Sequence, residues 1–187
     1  MTDDTFTYVY KDLKEAMQYL PWGILVGGSI ALMLMVIFNI INKRQGKPKL
    51  NWLPLSLFCI YVCIIMSITF LSRENGSREG VIDLELFSTW GINNRNNAFV
   101  VENVLLFIPY GFLTGWSFRW AKNIVKCVFF GFTTSLLIEY MQLVTGRGYF
   151  QIDDILTNTL GMFIGSLLCT TIWLFIMVVR GHSENKK

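Results

Sequence analysis

The chain has 187 residues, of which 53% are hydrophobic and 16% charged, with a formal net charge of +3. That apolar share exceeds what an ordinary soluble domain carries, which excludes a water-soluble globular reading and requires lipid. The small basic excess lies in short loops, where it reports membrane topology rather than a nucleic-acid surface.

In chain order, residues 1–21 read as an N-terminal interfacial segment. Phe6 to Leu20 fits a short amphipathic helix lying on the outer leaflet, with Tyr8, Tyr10 and Tyr19 as anchors. Five apolar blocks then follow, each near the roughly 20 residues that cross a bilayer at about 1.5 Å per residue. They predict spans at 22–41, 53–71, 99–116, 124–144 and 155–179. The first block is read as a mature helix and not as a secretory signal. Its leader is mixed and rather acidic, with Asp3, Asp4, Asp12 and Glu15 against Lys11 and Lys14, and no small-residue cleavage pattern follows. Between spans 2 and 3 lies the one long loop, 72–98. Its half-apolar stretch Val81 to Trp90, bounded by Gly80 and by the polar run Gly91 to Asn97, reads either as a partly embedded or surface-lying helix or as a plain connection. Cys59, Cys63, Cys127 and Cys169 all fall inside spans, where a thiol behaves as a small apolar group. They form no disulfide framework, and the sequence shows no metal-ligand spacing and no cofactor motif. No internal repeat is visible, so 1–187 reads as a single membrane domain.

Orientation follows from the basic residues, because short loops rich in Lys and Arg stay cytoplasmic. One side carries Lys43, Arg44, Lys47, Lys49, Arg119, Lys122, Lys126, Arg180, Lys186 and Lys187, with Glu184 as its single acid. The other side, formed by the N-terminal segment and the loops 72–98 and 145–154, is richer in acids than in bases. The expected fold is therefore an all-α polytopic bundle of five transmembrane helices, N-terminus outside and C-terminus cytoplasmic.

That orientation gathers the polar residues at one end of the last three spans. Glu102 and Asn103 lie in the outermost turn of span 3, Glu139 and Gln142 near the outer end of span 4, and Asp153, Asp154 and Asn158 at the entrance of span 5. Arg147 lies on the loop joining the last two. Glu139 and Gln142 are three apart and Asp154 and Asn158 four apart, so each pair shares a helix face. Asp153 or Asp154 either caps span 5, where exposed amides and the dipole favour a carboxylate, or belongs to a site, and Glu102 has the same capping explanation. Glu139 does not, because it sits near a helix C-terminus that disfavours an anion. Protonation, a hydrogen bond from Asn103 or Asn158, or an ion pair with Arg147 would offset that cost. Asn103, Glu139, Gln142, Arg147, Asp153, Asp154 and Asn158 are thus the candidate binding residues, and no catalytic residue is assigned. Gly111 with Gly115 and Gly161 with Gly165 form G-x-x-x-G faces suited to close helix packing or oligomerisation. Pro109 is expected to kink span 3 and to open space beside the cluster.

The run Asn103-Val-Leu-Leu-Phe107-Ile-Pro109-Tyr-Gly111, then Glu139-Tyr-Met-Gln142, then Arg147, then Asp153-Asp154 through Asn158, Gly161 and Gly165, resembles the signature of the VanZ-like family of bacterial membrane proteins. The resemblance covers residues 99–179 best. It departs at Gln151, where many members carry an acid, which leaves any role for a third acid in that loop unsupported here. The resemblance implies a multi-pass protein of the bacterial plasma membrane, in a family whose namesake is linked to resistance to the glycopeptide teicoplanin. It implies no established enzyme activity.

Two classes of function are compatible with these residues. The first is a non-catalytic envelope factor whose outer polar pocket, among membrane lipids, binds a lipid-linked cell-wall intermediate, a lipoglycopeptide or a partner protein. The second is a membrane-embedded enzyme acting on a lipid headgroup, with Glu139, Asp153 or Asp154 as acid or base and Arg147 holding an anionic group. The chain shows no evident nucleophile–base pairing, and its single histidine, His182, lies in the tail, which favours the first. A nucleic-acid partner is not expected, and a transporter is disfavoured by five short spans without a repeat.

Overall fold

A computed structural model describes residues 4–45, 52–71 and 82–184. Among the described residues there are six α-helices: α1 (Thr5–Ala16), α2 (Leu20–Gln45), α3 (Trp52–Met66, continued by a wider turn over Ser67–Leu71), α4 (Asn94–Ser117), α5 (Ile124–Thr145) and α6 (Ile152–Glu184). Two short strands, β1 (Ile82–Asp83) and β2 (Phe150–Gln151), pair in parallel, with Ile82 opposite Phe150 and Asp83 opposite Gln151. Five helical runs are long and apolar enough to cross a membrane: Thr5–Ile41, Trp52–Phe70, Asn94–Ser117, Ile124–Thr145 and Ile152–Arg180. Each contains nearly all of one of the five spans expected from hydropathy, and the first extends back to Thr5 through the N-terminal segment.

Local chemistry explains the boundaries. Asp4 starts α1 by accepting a hydrogen bond from the Thr7 amide at 2.8 Å, and Asn93 starts α4 by accepting from the Asn96 amide at 2.8 Å. Asn123 does the same for α5 through Lys126, and Gly146 ends that helix in the left-handed conformation at φ 62°. A single tight turn, Met17–Tyr19, joins α1 to α2, so the N-terminal segment and the first span form one helical run of 37 residues. At about 1.5 Å per residue such a run is longer than the hydrocarbon layer is thick. Near its start, Asp12 and Arg95 of α4 form an ion pair at 2.6 Å, and the Arg95 guanidinium lies over the rings of Tyr8 and Phe99.

The centre of the bundle is the α4–α6 pair, flanked by α5 and α3. A Cβ built on Gly111 would lie 2.4 Å from the Met162 carbonyl oxygen, on Gly161 2.3 Å from that of Val104, and on Gly165 2.0 Å from that of Ile108. Only glycine lets these backbones approach so closely. The glycine faces expected to pack helices therefore meet each other inside the chain. Around them lies a core of Ile65, Phe107, Tyr110, Ala121, Cys127, Ile138 and Met162. Tyr61 donates to the Leu106 carbonyl at 2.7 Å, tying α3 to α4.

The stretch Val81 to Trp90 forms no helix over its described residues. After β1 it runs as turns and bends, with Phe87 at φ 63°. The surface-lying helix considered from sequence is thus replaced by the plain connection, because the amides of Phe87 and Thr89 bond to a side chain of α6 instead of closing helical turns. The basic loop 46–51 and residues 72–81, used in the charge argument, lie outside the described residues.

Candidate functional site

Consecutive spans alternate in direction, so the C-terminal ends of α3 and α5 and the N-terminal ends of α4 and α6 share one end of the bundle. The Phe70 carbonyl accepts from the Arg147 guanidinium at 2.9 Å, which joins α3 to the α5–α6 connection there. Arg147 itself is set by the end of α5, its amide donating to the Gln142 carbonyl at 3.0 Å.

Asp153 is the second residue of α6 and is buried. Its two carboxylate oxygens accept the backbone N–H groups of Phe87 at 2.7 Å and Thr89 at 2.9 Å. Both reach it from the loop more than 60 residues earlier, so its principal contact is a tether on that loop as well as a place in the first turn of α6. Glu139 is only 2% exposed, and its Oε2 accepts the backbone N–H of Gln151 at 3.1 Å. This amide, which sequence reasoning did not name, is one group that offsets the cost of the carboxyl at a helix C-terminus. Asn158 turns instead to Ser135 of α5, donating from Nδ2 to Oγ at 2.9 Å. Asn158 Oδ1 and Gln142 Oε1 are buried and accept no hydrogen bond among the described residues. Asn103 and Asp154 are half-buried at the same end.

Above these contacts lies a cavity of about 260 Å³. The loop contributes Asp83, Ser88 and Thr89 to its wall, the first turns of α4 contribute Asn96 and Phe99, and the α5–α6 connection contributes Tyr149 and Gln151. None of the seven residues singled out from sequence lines it. Two of them hold segments that do: Asp153 binds the Thr89 amide and Glu139 the Gln151 amide, while the β1–β2 pairing brings Asp83 beside Gln151. The α4 residues of its wall, Asn96 and Phe99, lie about three helical turns from Pro109.

Asp83 is the acid of the wall. Its Oδ1 accepts the Glu85 amide at 3.0 Å and its Oδ2 the Ser88 hydroxyl at 2.8 Å. The Glu85 amide first, then the Ser88 hydroxyl, with the Gln151 side chain adding to both, hold this carboxyl below its ordinary value, while slight burial opposes them. No three His, Cys, Asp or Glu side chains gather as metal ligands among the described residues.

The family model described as VanZ/LLP1 matches residues 58–176, from α3 through most of α6. The protein is also similar to Protein VanZ of Enterococcus faecium, 35% identical over 66 residues, which are 35% of this chain and 40% of that one. The matched stretch thus spans less than half the length of that relative. No solved structure matches the chain. The VanZ/LLP1 match encloses the α4–α6 seam, the Glu139 and Asp153 contacts and every residue lining the cavity, and on that ground this membrane protein belongs to the VanZ/LLP1 family.

Proposed function

We propose that this protein is a non-catalytic factor of the bacterial plasma membrane that contributes to glycopeptide tolerance, teicoplanin being the type compound. In this reading the cavity opens on the extracytoplasmic side and holds a lipid-linked or lipophilic ligand. The charge asymmetry of the loops supports the sidedness, with the N-terminus and the loop 72–98 outside and the C-terminus inside. The observation that carries the binding role is the polar cavity at the end where Glu139, Gln142, Asp153 and Asn158 are buried. Buried polar side chains at membrane depth are costly, and here they frame the walls of a concave site. A binding role is favoured over acid–base chemistry because the named contact of Glu139 is a backbone amide that shapes the cavity wall.

The test compares Glu139→Gln with Glu139→Ala in isogenic cells at equal membrane level. Glutamine retains an acceptor for the Gln151 amide and should keep most of the tolerance. Alanine leaves that half-buried amide without its acceptor, a cost toward the lower end of about 1–3 kcal/mol, and should lose it. Equal loss in both variants would overturn the binding reading in favour of a required proton or charge. Sidedness is tested in the same cells without native cysteines: Glu85→Cys should react with an impermeant thiol reagent and Lys126→Cys should not. The reverse pattern would invert the topology.

A further inference from the structure

The described wall of the cavity holds one carboxylate, two hydroxyls, two carboxamides, a phenol and a phenyl ring, and no Lys, Arg or His. An anionic headgroup needs a guanidinium, an ammonium or a cluster of N–H groups to replace its water. Here the charged group of the wall is Asp83, held ionised by Glu85 and Ser88, which repels an anion. The nearby cation Arg95 is engaged elsewhere, paired with Asp12 at 2.6 Å and lying 4.5 Å from the centre of the Phe99 ring. With the Arg95 guanidinium on one face of Phe99, a quaternary ammonium brought to the same ring would meet like charge, which an uncharged ring would not.

What remains suits an uncharged ring bearing hydroxyls. Asn96 and Gln151 each offer a donor and an acceptor in one plane, Ser88 and Thr89 offer hydroxyls, and Asp83 retains lone pairs for a further O–H. Phe99 and Tyr149 offer flat apolar surface to the C–H face of such a ring. The volume of about 260 Å³ lies below the roughly 300–1,000 Å³ of drug-sized sites, which limits the occupant to one ring. We infer that this cavity is a subsite for a single uncharged sugar ring, borne on a membrane lipid or free in water, built by the convergence of Asp83, Asn96, Gln151 and the Phe99 ring. The inference rests on the reading of the cavity as a ligand site.

The experiment uses the full-length protein in nanodiscs of phosphatidylcholine carrying equal fractions of monoglucosyl diacylglycerol and phosphatidylglycerol, with native mass spectrometry of the lipid retained. The glucolipid should be retained over phosphatidylglycerol by about tenfold, the worth of one or two hydrogen bonds. Asn96→Ala and Gln151→Ala should each remove most of that preference, and Gln151→Ala leaves the backbone amide bound by Glu139 in place. Asn96→Lys, which sets a cation in the wall, should reverse it. Displacement by methyl glucoside at equal concentration would assign the subsite to soluble sugar, and persistence of the glucolipid would assign it to a membrane-borne one. Equal or tighter retention of phosphatidylglycerol or phosphatidylcholine, or a glucolipid preference indifferent to all three variants, would overturn the subsite. That failure would leave the tolerance reading standing. Conversely, a sugar-selective cavity in cells whose tolerance ignores Glu139→Ala would remove the tolerance reading and keep the subsite.

Discussion

Midway along the bundle α4 and α6 meet through bare backbone, with Gly165 against the Ile108 carbonyl and Gly161 against that of Val104. At the loop end the same α6 meets its neighbours through polar atoms, with Asp153 holding two loop amides and Asn158 holding Ser135. Inside lipid, helices gain little from burying apolar side chains against each other, so close backbone contact is the effective way to hold them together. Where the chain leaves the helices, backbone amides must find acceptors, and buried carboxylates supply them. The seam therefore depends on the absence of volume, and the loop end depends on the presence of acceptors.

Volume should be the more damaging thing to change. Gly165→Val puts a branched side chain where even a Cβ would lie 2.0 Å from a carbonyl oxygen, and backbone on both sides cannot yield as a flexible side chain would. The expected cost is about 3 kcal/mol or more, seen as loss of the monodisperse peak in detergent and of membrane accumulation. A variant that elutes and melts as the parent does would break the account of the seam.

Removing an acceptor should cost less and act locally. Asp153→Ala leaves the Phe87 and Thr89 amides without their acceptor. Phe87 is exposed and water replaces it there, so the cost is about 1–3 kcal/mol at the buried Thr89, and hydrogen exchange should speed over residues 82–91 while the α4–α6 seam stays protected. Asp153→Asn, with one acceptor oxygen, should fall between. Uniform exchange changes across the bundle would mean that the two regions are not separable.

The smallest effect is on Asp83, whose carboxyl titrates below its ordinary 3.8. A depressed value adds stability that is fully present above the unfolded value and is lost as pH falls through the folded one. Protection of residues 82–91, corrected for intrinsic exchange, should therefore hold from neutral pH down to about 4 and weaken below 3.8. The group is mostly solvated, so the change should be slight, and Asp83→Asn should remove it. A loop that loosens well above 3.8 would place the titrating group elsewhere.

The five spans were legible in the residue order because crossing a bilayer is a property of a contiguous stretch, and the glycines at 111, 161 and 165 were legible because helix packing leaves a fixed spacing. The same local logic located Glu139 and Asp153 at a common end of the bundle. It could not tell what they hold. Asp153 meets amides 66 and 64 residues away, and Glu139 meets a backbone N–H that every non-proline residue possesses and no composition marks. The stretch Val81 to Trp90 stayed open between a surface helix and a plain connection for the same reason, since its apolar content fits either until Asp153 takes the amides a helix would have used. The cavity wall, drawn from the loop, α4 and the α5–α6 connection, has no sequence period at all. Hydropathy and spacing thus determined which segments cross and which faces pack, whereas the contacts of the candidate residues were decided in three dimensions, where distant backbone donors meet the buried carboxylates.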